Sequence, residues 1–230
     1  MFLRIYIAVL SLVVVVLATA AFRQAGKPSN LGEITVERIN VVDANGTLRL
    51  VIADKDRMHP GIIDGVPIER PRPVAGLIFF NDDGDEVGGL VTTGRGADGT
   101  ADAGLTLDQL HQDQTIGLMY SESERQRTAA LRVWDRPETS LGDLIKSMNA
   151  ARRIEDPARR QEAMRAANAA AAPSFERVFV GKDVDRASHV TLSDAKGKPR
   201  LRLTVEAGGD ARIEFLDETG KVTERFPQAR

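Results

Sequence analysis

Val190-Thr191-Leu192-Ser193-Asp194-Ala195-Lys196-Gly197-Lys198-Pro199-Arg200-Leu201-Arg202-Leu203 is the stretch that decides the architecture. Apolar residues stand two and four places before Asp194 and seven and nine places after it. A period of two makes each arm a strand with one apolar and one polar face. The Asp194-x-x-Gly197 between them is turn chemistry. An aspartate carboxylate accepts from the amide two residues on, and glycine takes the positive φ that a bulged hairpin turn requires. The stretch therefore reads as strand, tight turn, strand.

The same spacing recurs along the chain. Ile39, Val41, Gly46, Leu50 and Ile52 surround Asp43 in this way, and Leu77, Phe79, Gly84 and Leu90 surround Asn81. Ile213, Phe215 and Gly220 do so for Asp217. Two copies are weaker. Gln109 has Leu105, Leu107, Ile116 and Leu118 in place but Gln112 where the glycine should be. Asp135 has Leu131 and Val133 before it, and its returning arm is displaced to Val178 and Val180. Six anchors predict six hairpins, about a dozen strands, and an all-β meander closed as a barrel or stacked as a sandwich or solenoid. Closure is the attractive arrangement, because open sheet edges pair with other chains.

Two insertions account for the long spacings. Residues 55–73 hold Pro60, Pro67, Pro71 and Pro73 and read as an irregular loop. Residues 141–172 read as a helical hairpin: Leu141, Leu144, Ile145 and Met148 form an apolar stripe, and Asp156-Pro157 opens a second helix that Pro173 ends. Arg152, Arg153, Arg159, Arg160 and Arg165 concentrate positive charge on this insertion. They are either a solvated helix face or a surface for a protein partner, self-association or anionic lipid headgroups.

At the N-terminus, residues 5–22 contain no charge, which as a helix is about 27 Å, close to the thickness of a bilayer core. A signal anchor (residues 1–22) fits that length, and Ala18-Thr19-Ala20 offers a signal-peptide cleavage site instead. The anchored reading places the N-terminus in the cytoplasm and the bulk outside; the cleaved reading makes the chain secreted or periplasmic. Residues 23–33, with Gly26, Pro28 and Gly32, form a linker to the β-domain at 34–230.

Composition narrows the chemistry. The absence of cysteine removes disulfides, thiolate metal sites and cysteine nucleophiles. A net charge of −2 and 5% aromatic residues argue against nucleic-acid binding. His59, His111 and His189 lack metal-ligand spacing, so no metal site is assigned. Gly94-Arg95-Gly96-Ala97-Asp98-Gly99 matches a dinucleotide-loop pattern but leads into another strand, so no cofactor is assigned. Asn81-Asp82-Asp83-Gly84-Asp85-Glu86 is acidic, yet an EF-hand alignment on Gly84 puts Phe79 and Leu90 at ligand positions. No catalytic residue is assigned.

The runs Val-Thr-Leu-Ser-Asp-Ala-Lys-Gly-Lys-Pro-Arg at 190–200 and Ile-Glu-Phe-Leu-Asp-Glu-Thr-Gly-Lys-Val at 213–222 resemble uncharacterised bacterial exported proteins with tandem Asp-x-x-Gly-Lys β-hairpins. That resemblance implies repetition and export, and no activity. The sequence thus points to a membrane-anchored or exported, non-enzymatic envelope protein with a binding or scaffolding role. The alternative is an exported hydrolase with its site in loop 55–73 or 93–104.

Overall fold

The structure is a computed structural model that describes residues 2–25 and 31–228. The chain divides into two compact units, 1–36 and 37–230. In the first, helix α1 (Phe2–Ala25) has an 18-residue window, Phe2–Thr19, with mean hydropathy 2.5 and no burial. It is long and apolar enough to cross a membrane or to serve as a signal sequence.

The second unit is built on one antiparallel meander of twelve strands. It opens with β1 (Arg38–Val42) and β2 (Leu48–Ala53). After the first insertion come β5 (Ala75–Phe80), β6 (Glu86–Arg95), β7 (Thr100–Asp108), β8 (Gln114–Ser123) and β9 (Gln126–Asp135). After the second come β10 (Phe175–Lys182), β11 (Ser188–Ser193), β12 (Pro199–Val205), β13 (Ala211–Leu216) and β14 (Val222–Phe226). The first insertion contributes a separate two-residue hairpin, β3 (Ile62–Ile63) with β4 (Val66–Pro67), so loop 55–73 is more ordered than its prolines suggest.

The anchors predicted from the repeat sit at the turns. Asp43, Asn81, Asp194 and Asp217 each receive a bond at their carbonyl from the glycine three residues on. Each also donates its own amide to the carbonyl four residues on, and a register shift follows. The glycines at 46, 84, 197 and 220 have φ between +73° and +89°. The Gln109 turn makes the same two bonds without glycine; there the positive φ (+56°) moves to His111. Asp183 and Glu206 build two further turns of this kind at the opposite sheet end. At the first, Arg186 (φ +67°) stands in the place that glycine takes in most of the other turns.

The displaced arm of the Asp135 hairpin returns as expected: Val178 pairs with Val133 and Val180 with Leu131. Between these arms lie α2 (Gly142–Arg152) and α3 (Pro157–Ala169), packed on each other, and α2 also touches β4. The Asp156 carboxylate caps α3 by accepting from the Arg159 amide, with Pro157 at the first position.

Barrel closure does not occur: the sheet is open, with β1 and β14 at its edges. The edges are instead kept short, at five residues each, and carry Arg38 and Asn40 on one side and Glu224 and Arg225 on the other. Short charged edges resist pairing with other chains without closure.

Candidate functional site

Side chains alternate between the faces of a strand, and register partners share a face. Following the pairing across the sheet gives one row of twelve: Ile39, Ile52, Leu77, Leu90, Leu105, Leu118, Leu131, Val180, Val190, Leu203, Ile213 and Phe226. Every strand contributes one residue and every residue is apolar. A second row runs beside it two residues away: Val41, Leu50, Phe79, Gly88, Leu107, Ile116, Val133, Val178, Leu192, Leu201, Phe215 and Glu224. Only Gly88 and Glu224 interrupt its apolar character. These are the apolar positions of the sequence repeat.

Their environment differs from what a half-buried strand leads one to expect. Nine residues of the first row are 38–59% exposed, the extremes being Leu203 and Leu118. The core lies on the other face. Val51 and Ile78, register partners there, are both 0% exposed and cluster with Ala53, Met58 and Phe80 under the first insertion. Further along that other face the row runs Arg132, Phe179, Thr191, Arg202, Glu214 and Arg225, polar at every position but the buried Phe179. Glu214 is buried among arginines, bonding Arg225 and lying 3.3 Å from the Arg212 Nε. Burial pushes its pKa up but the guanidiniums outweigh it, so the carboxyl sits below its usual range. Strands β12–β14 thus have a charged ladder on one face and the uncovered apolar rows on the other. A hollow of about 740 Å³ opens on the apolar side there, lined by Val180, Val190, Leu203, Ile213 and Phe226 among others.

The polar residues gather elsewhere, where the two insertions meet the turn end of the central strands. Arg72 makes a two-point bond to Glu86 at 2.6 and 2.8 Å, with the Glu86 side chain almost fully enclosed. Buried Asp85 accepts from the Gly65 amide at 2.8 Å. His111 Nδ1 is 3.1 Å from Asp64 and 3.5 Å from Asp85, near enough for ion pairing but aligned with neither for a hydrogen bond. The Ser140 hydroxyl donates to Asp64 at 2.6 Å and accepts from the Gly142 amide. Buried Asn149 donates to the Pro67 carbonyl and accepts from the Glu69 amide. Asp108 is raised to about 7, first by burial and then by Glu86 and Asp113, with Arg72 and Arg136 opposing.

This cluster brings together His, Ser and Asp, but in an order unsuited to nucleophilic catalysis. The hydroxyl faces a carboxylate, whereas activation requires it to face the imidazole. Its members bond the backbone of both insertions, a fastening role.

Loops 55–73 and 93–104 gather no other constellation. His59 accepts from the Gly61 amide and meets the Phe80 ring edge-on; burial, then Arg38 and Arg72, lowers its pKa. The Gly-rich stretch forms a 3-10 turn at Gly96–Asp98. His189 stacks on Phe179, apart from both other histidines' partners. The acidic tip at 81–86 is structural: Asn81 Oδ1 accepts from the Asp83 and Asp85 amides. Among the described residues no acid–histidine cluster suited to a metal ion forms.

The arginines of the insertion separate into two groups. Arg152 bonds Asn149, Arg153 pairs with Glu69, and Arg160 bonds the Ile154 carbonyl. Arg159 and Arg165 are exposed on α3 without an ion pair among the described residues. Arg153 thus ties the insertion to Glu69 while its side chain stays 70% exposed, and Arg152 and Arg160 bond only within the insertion. The repeat spacing itself was the signal for the apolar sheet face. No protein-family model and no curated protein matches the sequence.

Proposed function

We propose that this chain is a membrane-anchored, extracytoplasmic binding or scaffolding protein of the cell envelope whose working surface is the apolar sheet face. The observation that carries this reading is the unbroken twelve-residue row. Eleven strand steps of about 4.8 Å and the two rows, each about 6.6 Å wide, give a projected area of roughly 600–700 Å². That is at or above the largest apolar patch of a typical soluble monomer, about 300–600 Å², and such patches mark interaction sites. The apolar helix α1 supports attachment to a bilayer, and the resemblance to exported hairpin-repeat proteins supports the outside location.

The absence of cysteine supplies the test. Single cysteines are introduced as Leu118→Cys and Leu131→Cys on the face and as Ala195→Cys at an exposed turn. Full-length protein in its native membranes is then treated with a polar maleimide. A covered face reacts at least tenfold more slowly than the turn. Equal rates at all three positions would refute a binding role for this surface.

A further inference from the structure

We infer that the occupant of the apolar face is a second copy of this chain, laid face to face across a two-fold axis. This rests on the binding reading above and goes on to name the partner.

A sheet that is apolar on one face needs a second layer against it. The N-terminal strands have one on their other face, around Val51 and Ile78. Strands β12–β14 have none, because Arg202, Glu214 and Arg225 occupy the only other face. The missing layer must be apolar, extended and uncharged, since the first row contains no polar residue to meet a partner's charge. The chain displays one surface with those properties and with matching length and strand spacing: the same face of another copy. Sheets stack in this way about 10 Å apart, with strands within about 30° of alignment, and their side chains interdigitate.

Area and closure agree with this. A projected area of roughly 600–700 Å² per copy approaches the ~800 Å² that each partner of a standard stable interface buries. One contact covers both faces, and the opposite side is covered by the insertions or lined mainly by polar and charged residues, so the assembly closes at two copies. The short charged edges at β1 and β14 oppose sideways growth. Anchoring through α1 confines copies to one bilayer, which raises their effective concentration.

The experiment uses full-length protein reconstituted in phosphatidylcholine/phosphatidylglycerol vesicles, with single cysteines by Leu105→Cys, Leu118→Cys, Leu131→Cys and Leu203→Cys. Ser121→Cys, exposed on the opposite face of β8, is the control. Circular dichroism and the Trp134 emission of each variant confirm folding before a short bismaleimide is added. The stack predicts at least tenfold more covalent dimer from the best face position than from Ser121→Cys, unchanged when lipid is increased tenfold. No dimer from any face position, dimer that dilutes away with lipid, or equal dimer from Ser121→Cys overturns the inference. If face cysteines are protected from maleimide yet give no dimer, and brominated lipid quenches a fluorophore placed there, acyl chains are the cover. That outcome rejects the second copy and leaves the binding role standing.

Discussion

Replacing Asp108 by asparagine should stabilise the protein, and by an amount that depends on pH. Asp108 ends β7 with a buried carboxylate oxygen that has no hydrogen-bond partner. Burial, reinforced by Glu86 and Asp113, raises it from 3.8 to about 7. Between those values the native state holds a proton that the unfolded chain has released, so stability falls as pH rises through the window. Above about pH 7 the full cost is present. A shift of about three units at 1.36 kcal/mol each sets a ceiling of ~4 kcal/mol. Salt screening at a partly enclosed site brings the expected value to ~2 kcal/mol. Asparagine keeps the shape and cannot ionise. Urea unfolding of both proteins, followed through the single tryptophan at Trp134, at about pH 4.5 and about pH 8, isolates the effect. Asp108→Asn should gain ~2 kcal/mol at the higher pH and well under half of that at the lower. His59, lowered in the fold, destabilises the native state as pH falls, but it is present in both proteins and cancels in the difference. An Asp108→Asn gain that is the same at both pH values would refute the assignment of a buried, proton-holding carboxyl.

Arg72→Met should cost roughly 3 kcal/mol by leaving the Glu86 charge enclosed without its partner, and adding Glu86→Leu should recover most of that loss in chemical denaturation. Gly197→Ala should cost more than Gly220→Ala in thermal melts. Both have positive φ, worth about 1 kcal/mol, but a Cβ at 197 would also lie 2.9 Å from the Phe175 ring. Gly96→Ala, with open space around it and no positive φ, should cost under about 0.5 kcal/mol in the same melts. Asn149→Ala should cost about 2 kcal/mol, because it strands the Pro67 carbonyl and the Glu69 amide, and the Glu69 amide should then exchange its hydrogen faster by NMR.

Much of this fold was legible because its information is local. Asp194 and Gly197 set a turn through bonds within four residues, and the same is true at 43, 81 and 217. The strand count followed from those turns, and the gap after Asp135 resolved correctly because Val178 and Val180 kept the apolar spacing. What escaped was non-local. No spacing rule links Asp64 to Ser140, Asn149 to Pro67, or Arg153 to Glu69, residues about eighty positions apart that fasten one insertion to the other. Hence the arginines of the insertion read as one charged surface, with no hint that Arg153 pairs with Glu69. The open edges escaped for a related reason: closure is a property of the whole sheet, while Arg38 and Glu224 protect an edge one residue at a time.

The apolar rows show how far a period-two pattern reaches. Alternation at Val190, Leu192, Leu201 and Leu203 specifies which side chains share a face, and the structure places them there. It does not specify the layer that covers that face, because the cover can come from the same chain or from outside it. At Val51 and Ile78 the cover is internal and the exposure is nil. At Leu118, on the sixth strand of the meander, no internal cover exists and more than half of the residue is exposed. Yet the first row stays apolar in all twelve strands, including β12–β14, where the other face carries Arg202, Glu214 and Arg225. Solvent alone would not favour twelve apolar residues in register, since each costs free energy when left wet and polar residues pair equally well across strands. An external apolar layer accounts for the row in every strand, including those whose opposite face has no core.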